Sequence, residues 1–519
     1  MDDICTLRTV LDRNLEYNPQ KTALVEGARQ YSFLEFAQRT RAMGNALLNL
    51  GLKKGERVAI LSKNSMENAE SYFSIPNAGL VLVMLNFRLA PREILTILED
   101  SGASVLMVNQ EYMGHVDQIK DELEFIKKLI FIGPSDEVPK GWLHYEALIR
   151  DASDEVPPTE LRENDLAALM YTSGTTGSPK GCMATHRNFY HVGRSLTLEL
   201  RMTRDDVGII ASPLFHATGE VVLMNGMYSG TTSIIMPQWD AAQFLGLVEK
   251  YKVTTGMLAT PMLLFLLESP EVDKYDHSSL QKIFFAGAPV TPVVFQRAIE
   301  RFGNVWVHLF GTTETVGQTT ILKIEDIAGA LNEGNLEILG SCGRSFADMQ
   351  STVVDSDDHP VAPGEVGEMK VRGLGTTLGY WNKPEETLND FRNGAYYSQD
   401  LCRVDEQGFI YVVDRKKDMI ITGGENVYPA EVENILYKHP GVSMAAVIGT
   451  PDEKWGEAVT AMIVKRGEES LDAEGVRAFV RGEIAGYKVP KKVLFVESLP
   501  MSASGKILKF KLRTELSAA

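Results

Sequence analysis

A segment rich in glycine and hydroxyl side chains, residues 171–181, is the first candidate for chemistry in this sequence. It follows a short apolar run, Leu166–Met170, that is typical of a buried strand. Glycine lets backbone N–H groups approach an anion closely, Ser and Thr hydroxyls add donors, and a lysine supplies positive charge. The segment therefore predicts a polyphosphate site, although its lysine lacks the spacing of the Walker loop. The residues expected to contact phosphate are Thr172, Ser173, Gly174, Thr175, Thr176 and Lys180.

A second candidate follows the apolar run Val305–Leu309, in the order Phe-Gly-Thr-Thr-Glu. Ligands of open α/β sheets bind at the carboxyl ends of strands, so a loop in this place can contribute to a site. Phe310 can stack on a purine, Thr313 can donate to a phosphate, and Glu314 is a hard oxygen ligand suited to Mg²⁺. Taken alone, an acidic residue in such a loop is often merely solvated.

Three further residues carry chemistry only in the right context. His216 stands beside apolar residues, where a histidine is more often a core residue than a catalytic group. Asp400 ends the string Tyr-Ser-Gln-Asp, and a carboxylate can accept hydrogen bonds from both hydroxyls of a ribose. Lys506 follows Gly505 near the end of the chain, where an isolated lysine is usually just exposed.

Together these strings, in this order along the chain, resemble the adenylate-forming superfamily. That family contains acyl-CoA synthetases, peptide-synthetase adenylation domains and firefly-type luciferases, and the motifs here are most similar to acyl- and aryl-CoA ligases. The resemblance implies an ATP-dependent, AMP-forming carboxylate–CoA ligase that makes an acyl-adenylate and then a thioester. A stand-alone adenylation enzyme that loads a carrier protein and a luciferase-like oxygenase are the alternatives. The implied small molecules are a carboxylic acid, ATP with Mg²⁺, and coenzyme A.

The resemblance also assigns roles to individual residues. The catalytic set becomes Thr172, His216, Glu314 and Lys506, in which Glu314 holds Mg²⁺ and Lys506 bridges the carboxylate and the α-phosphate. The nucleotide site gains Gly287, Ala288, Pro289, Phe310, Gly311, Thr312, Thr313, Asp400 and Arg415. Two positions depart from the family pattern, because Gln399 and Asp414 stand where glycine is common.

The same resemblance indicates which residues contact the acyl group, which contact CoA and which one acts as a hinge. The residues around the acyl group are small or apolar, which favours a monocarboxylic acid of modest size: His216, Ala217, Thr218, Ala286, Leu309, Gly311, Val316 and Gly317. The resemblance assigns Gly423, Gly424 and Lys488 to CoA. It makes Lys417 the hinge about which a C-terminal domain swings between the two half-reactions.

The elements that must position these residues alternate between strand-like and helix-like periods. Ser32 and Glu35 have capping-box spacing before a helical apolar face that ends near Gly51. Such alternation predicts an α/β fold with a parallel or mixed sheet covered by helices. Short β-branched runs cut by turns predict a small β-rich subdomain at about 340–413. We therefore expect a large N-terminal domain of α/β subdomains, 1–416, and a small mobile α+β C-terminal domain, 417–519.

Composition limits the remaining classes of function. The 519 residues carry a net charge of −17, which argues against nucleic-acid binding as the main activity. Four cysteines without a Cys-x-x-Cys pair predict free thiols in a reducing compartment. No apolar run approaches the ~20 residues of a membrane helix, and the first residues lack a signal-peptide pattern, so a cytoplasmic protein is expected. Monomer and homodimer are both left open.

Overall fold

The computed structural model describes residues 3–172, 179–287, 290, 292–416, 418–422, 425–452, 455–467, 471–501 and 507–518. By its internal contacts the chain divides into two compact units. The first unit comprises Met1–Ser351 and Val371–Tyr396, and the second comprises Thr352–Lys370 and Tyr397–Ala519. The predicted boundary at residue 417 is a different division of the chain, and it stays a prediction.

One sheet of the first unit has seven strands, parallel except for the last pair. Its inner strand Val81–Leu85 is buried at every position, as a strand with helices on both faces requires. In spatial order the strands are Leu143–His144, Lys128–Ile132, Val105–Asn109, Arg57–Leu61, Val81–Leu85, Leu166–Thr172 and Lys180–Thr185.

The second sheet of this unit has nine strands, with a parallel centre and antiparallel strands toward its edges. Two predicted loops leave this sheet at the carboxyl ends of neighbouring parallel strands, Lys282–Ala286 and Trp306–Phe310. In spatial order the strands are Arg344–Ser345, Thr320–Leu322, Trp306–Phe310, Lys282–Ala286, Thr255–Ala259, Val207–Ile210, Thr232–Ile235, Thr22–Glu26 and Arg29–Ser32.

One helix of the first unit begins at the signal expected from the sequence. Ser32 caps the helix Phe33–Asn49 and Glu35 returns a hydrogen bond to the Ser32 backbone, which is the predicted capping box. Helix Met66–Asn77 is buried at every position, and Ala217–Ser229 is buried at all but one. The other helices are Leu7–Tyr17, Pro91–Ser101, Met113–Asp117, Tyr145–Asp151, His186–Glu199, Ala241–Tyr251, Thr260–Glu268, Pro292–Phe302, Ile324–Glu333 and Pro384–Asp390.

The stretch predicted to be β-rich contains a third sheet, and the division between the units falls inside three of its strands. Its strands are Met349–Val354, Val366–Gly373, Phe391–Arg392, Ala395–Val404 and Ile410–Arg415. The rest of the second unit is the expected α+β arrangement. Its strands are Ile420–Thr422, Glu425–Val427, Val442–Asp452, Gly456–Lys465 and Lys492–Phe495, and its helices are Pro429–Leu436, Ala473–Arg481 and Lys509–Ala518.

The C-terminal helix Lys509–Ala518 is held to the second unit by two ion pairs. Lys509 Nζ lies 2.8 Å from Glu433 Oε1, and Arg513 Nη1 lies 2.8 Å from Asp418 Oδ1. Leu512 on the same helix is 1 % exposed, so apolar burial adds to the two ion pairs. The fold class expected from the sequence, a mixed α/β chain with a large and then a small domain, is confirmed.

Two findings concern the cysteines and the apolar character of the helices. All four cysteines lie within the described residues and carry free thiols. Among the helices of the described residues, none combines the length and the apolar character that crossing a membrane would require.

Candidate active site

The two ends of the glycine-rich segment face each other across a strand pair. Thr172 and Lys180 are register partners of the antiparallel strands Leu166–Thr172 and Lys180–Thr185. The Thr172 hydroxyl donates to the Lys180 carbonyl oxygen across 3.5 Å. The predicted phosphate contacts Ser173, Gly174, Thr175 and Thr176 lie outside the described residues. The strand pair therefore places Thr172 and Lys180 together at the base of the segment.

The Lys180 ammonium group lies between a carboxylate and an aromatic ring. Its Nζ is 3.5 Å from Asp390 Oδ2 and 4.5 Å from the centre of the Tyr380 ring. The Lys180 side chain is 14 % exposed, and that of Asp390 is 9 % exposed. A charge shielded to this degree interacts more strongly than one in bulk water, so Asp390 balances the lysine that the sequence assigned to phosphate.

Glu314 reaches the same cluster through Tyr380. The Tyr380 hydroxyl donates to Glu314 Oε1 at 2.8 Å and also lies 2.9 Å from Asp390 Oδ2. Burial and the neighbouring Glu314 carboxylate raise the pKa of Tyr380 well above its ordinary value, so the phenol keeps its proton. Lys180, Asp390, Tyr380 and Glu314 thus form a continuous set of contacts, called here the four-residue chain.

Backbone pairing fixes Tyr380 in this position. Met183 N donates to Gly379 O at 2.9 Å, and Trp381 N donates to Gly181 O at 2.8 Å, so the segment around Tyr380 pairs with the strand that begins at Lys180. Farther upstream, Asn188 Nδ2 donates to Leu374 O at 2.7 Å. Sequence reasoning missed Tyr380 and Asp390. The string Gly-Tyr-Trp around Tyr380 does not indicate a contact with Glu314, because the two residues are 66 positions apart in the sequence.

The described residues fit a magnesium ion that arrives with ATP. Within the described ranges, no group of three or more His, Cys, Asp or Glu side chains could hold a metal ion by itself. Mg²⁺ usually keeps several waters and binds through one or two carboxylates plus the phosphates of its substrate. Glu314, which is connected through Tyr380 to the lysine expected to bind phosphate, is a donor of the required kind. The metal role of Glu314 nonetheless stays a prediction.

The loop after the strand Trp306–Phe310 makes a tight turn at Val316 and Gly317. Val316 has φ +47° and Gly317 has φ +78°. A positive φ is costly for a β-branched side chain such as valine, and Val316 is fully buried, so its surroundings must impose it. Gly317 N donates to Thr312 O at 2.8 Å and closes the turn. Nothing in the sequence signalled this strained valine.

Four residues predicted to surround the acyl group meet at this turn. A Cβ atom added to Gly311 would overlap the backbone carbonyl group of Gly317. A Cβ atom added to Gly317 would lie 3.2 Å from Ala217 Cβ. Ala217, Gly311, Val316 and Gly317 are therefore brought together, and close backbone approach requires the glycines. Of the other predicted acyl residues, Thr218, Ala286 and Leu309 are buried and His216 is half-buried.

His216 caps a helix with one nitrogen of its ring. Its Nδ1 accepts from Thr218 N at 3.3 Å at the start of the helix Ala217–Ser229. A neutral imidazole that accepts at Nδ1 carries its proton on Nε2. His216 is half-buried.

The residues expected to contact adenine lie at two strand ends. Gly287 follows the strand Lys282–Ala286, is exposed and has φ +99°, a conformation that glycine adopts without strain. Phe310 ends the neighbouring strand and is half-buried. Ala288 and Pro289 lie outside the described residues.

In the second unit, the two predicted ribose contacts form an ion pair. Arg415 Nε lies 2.6 Å from Asp400 Oδ1, and the two residues are register partners on antiparallel strands. Gln399, which stands where the family usually has glycine, has φ +60°. The backbone geometry that glycine would adopt freely is thus kept here at some conformational cost.

The other site residues of the second unit are only partly described. Lys488, predicted to contact CoA, donates to both carboxylate oxygens of Glu431 at 2.7 Å and 2.8 Å. A phosphate contact by Lys488 would therefore compete with Glu431. Lys417, Gly423, Gly424 and Lys506 lie outside the described residues.

Comparisons with known proteins identify the family. Residues 11–381 match the family described as AMP-binding enzyme, and residues 431–506 match the AMP-binding enzyme C-terminal domain. The chain belongs to this AMP-binding enzyme family. The resemblance to the adenylate-forming superfamily is thereby confirmed.

Two curated relatives and one solved structure are similar over nearly the whole chain. A feruloyl-CoA synthase from an Amycolatopsis species is 37 % identical over 505 residues, covering 96 % of this chain and 97 % of that protein. An indoleacetate–CoA ligase from Aromatoleum aromaticum is 33 % identical, covering 97 % and 96 %. The anthranilate CoA ligase AuaEII in complex with anthranoyl-AMP has a TM-score of 0.90 at 28 % identity, covering 99 % of this chain and 98 % of that one.

The predicted enzyme class is confirmed with the family. The chain is an AMP-forming acid–thiol ligase of the acyl-CoA synthetase type, and it uses ATP with Mg²⁺.

Proposed function

We propose that this ligase activates an aromatic or arylalkyl monocarboxylic acid, with the residue roles assigned from the sequence. The four-residue chain is the observation that carries the proposed roles in adenylation. It places Lys180, at the base of the glycine-rich segment, in one set of contacts with Glu314, which the motif assigns to Mg²⁺. A phosphate-binding lysine beside a metal-binding carboxylate is the arrangement that a bound Mg–ATP needs.

In the first half-reaction, an oxygen of the substrate carboxylate attacks the α-phosphorus of ATP, the bond to the β-phosphate breaks, and pyrophosphate leaves. Lys180 and the glycine-rich segment bind the β- and γ-phosphates, and Lys506 offsets the negative charge at the α-phosphate. His216 lies beside the substrate carboxylate and orients it. In the second half-reaction, the CoA thiol attacks the acyl carbon and releases AMP.

The proposed substrate class is supported by the small residues at the turn and by the relatives. Ala217, Gly311 and Gly317 carry no bulky or charged side chain that could pair with a second carboxylate. The acids named for the three similar proteins are ferulic, indoleacetic and anthranilic, each with one carboxyl group on or near an aromatic ring.

The test is a panel of acids offered to the full-length enzyme with ATP and Mg²⁺, with and without CoA. Ferulate, indoleacetate and anthranilate should give AMP and thioester faster than hexanoate or palmitate. Faster turnover of palmitate would contradict the substrate class. Adenylate without thioester in the presence of CoA would favour loading of a carrier protein instead.

Further proposals concern the second half-reaction, the cellular location and the oligomeric state. A swing about Lys417 would exchange Lys506 for the segment with Gly423 and Gly424, and Lys488 would then exchange Glu431 for a phosphate of CoA. Asp400 and Arg415 would hold the ribose in both half-reactions. A cytoplasmic location and a homodimer also stay predictions.

A further inference from the structure

Tyr380 makes a separate contact with each end of the four-residue chain. Its hydroxyl oxygen lies within 2.9 Å of two carboxylate oxygens, Glu314 Oε1 and Asp390 Oδ2. The face of its ring lies 4.5 Å from Lys180 Nζ. The side chain is only 4 % exposed, so these contacts form away from bulk water. One tyrosine therefore touches the residues that we assign to the metal and to phosphate.

We infer that Tyr380 is a positioning residue for the adenylation half-reaction, which acts through Glu314 with its hydroxyl and through Lys180 with its ring. This inference rests on the proposed role of Glu314 as a ligand of Mg²⁺. A hydrogen bond to Oε1 fixes the rotation of the carboxylate and hence the direction in which Oε2 points. Mg²⁺ demands near-ideal octahedral geometry, so a carboxylate that rotates freely is a poorer ligand.

The aromatic ring of Tyr380 acts on Lys180. A cation over an aromatic face is attracted by the negative charge of the ring face. Asp390 supplies the charge that balances Lys180 before nucleotide arrives, and the ring keeps the ammonium group in place when phosphate takes over from Asp390. The hydroxyl and the ring thus serve different ligands, and two substitutions can separate them.

Tyr380→Phe removes the hydroxyl and keeps the ring, whereas Tyr380→Gln keeps a donor and removes the ring. ATP–pyrophosphate exchange is measured with the most active acid of the panel while Mg²⁺ and ATP are varied separately. The Phe variant should need about ten-fold more Mg²⁺ for half-maximal rate, since a hydrogen bond to a charged group is lost. Its KM for ATP at saturating Mg²⁺ should stay within about two-fold, and Mn²⁺, a tighter-binding cation, should recover much of the rate. The Gln variant should keep the Mg²⁺ requirement of the wild type and should have a raised KM for ATP.

Tyr145→Phe is the matched control, because Tyr145 donates a buried hydrogen bond to Glu70 Oε2 at 2.8 Å elsewhere in the first unit. It should leave the Mg²⁺ titration unchanged. The Glu314→Gln variant distinguishes failure of the role inferred for Tyr380 from failure of the metal role proposed for Glu314. An unchanged Mg²⁺ titration in Glu314→Gln would overturn the metal role itself. If the Mg²⁺ requirement rises in Glu314→Gln but not in a folded Tyr380→Phe, only the role of Tyr380 is overturned. The same holds if neither Tyr380 variant folds, because the tyrosine would then be needed for the fold itself.

Discussion

Lys180 Nζ lies 3.5 Å from Asp390 Oδ2, although the two residues are 210 positions apart in the sequence. In the proposed function, the phosphates of ATP replace Asp390 as the partner of this lysine. The contact is therefore one that nucleotide binding must compete with.

Asp390→Asn should lower the KM for ATP, because the neutral amide no longer competes with phosphate for Lys180. The expected change is about two- to five-fold, as for a partly shielded ion pair. It is measured by ATP–pyrophosphate exchange at saturating Mg²⁺. Asp276→Asn, which breaks the exposed pair between Lys252 Nζ and Asp276 Oδ2 at 2.8 Å, is the control. A KM for ATP that rises or stays constant would speak against the exchange of partners.

Lys506→Ala should abolish formation of the adenylate from acid and ATP. The reason is that this lysine is proposed to offset charge at the α-phosphate in the first half-reaction alone. Thioester formation from a supplied acyl-adenylate and CoA should be largely spared. The two half-reactions are assayed separately, and equal loss of both in a folded variant would argue that one arrangement of the chain serves both.

Lys417→Pro should affect the two half-reactions unequally. Proline holds φ near −65°, so a rotation absorbed at this residue becomes unavailable. Melting temperature is followed as a control for folding and should change little. If both half-reactions fall by the same factor, or neither falls, the hinge does not lie at Lys417.

Gly311→Ala should destabilise the first unit, because the added methyl group would overlap the Gly317 carbonyl group. Overpacking of this kind typically costs about 1–3 kcal/mol. Gly329→Ala is the control, since a Cβ atom at this helical glycine meets no heavy atom within 4 Å. That control should be neutral or slightly stabilising. Thermal unfolding distinguishes them, and equal melting temperatures would refute the close approach at Gly311.

The pH dependence of stability should change on Asp414→Asn. Burial raises the pKa of Asp414 from its model-compound value of 3.8 to about 6. A carboxyl whose pKa is raised on folding favours the folded state below its unfolded pKa and loses that contribution as pH rises through about 6. The wild type should therefore lose roughly 2–3 kcal/mol between pH 4 and pH 7 that the variant does not lose.

Asp414 also accepts from Arg415 N at 2.7 Å and Ala430 N at 2.8 Å, and an amide can replace only one of these acceptors. The variant can therefore be less stable at every pH. The informative quantity is the difference in melting temperature between variant and wild type as a function of pH. A difference that does not change between pH 4 and pH 7 would contradict the raised pKa of Asp414.

Much of this molecule could be predicted from local sequence, because local physics decides it. The helix Phe33–Asn49 follows from the cap at Ser32. Lys180 and Glu314 were recognised because motifs hold chemistry at fixed spacing next to strand ends. The family and the enzyme class followed from the order of those motifs.

Only the tertiary structure showed what joins the motifs. Tyr380 and Asp390 touch Glu314 and Lys180 because the segment around Tyr380 pairs with the strand that begins at Lys180. Such a contact depends on two distant segments sharing one edge, which periodicity and spacing within either segment do not encode. The same holds for Val316, whose positive φ is imposed by the packing around a turn rather than by any preference of valine. Local sequence thus indicated which groups could do the chemistry, and tertiary packing decided which neighbours they contact.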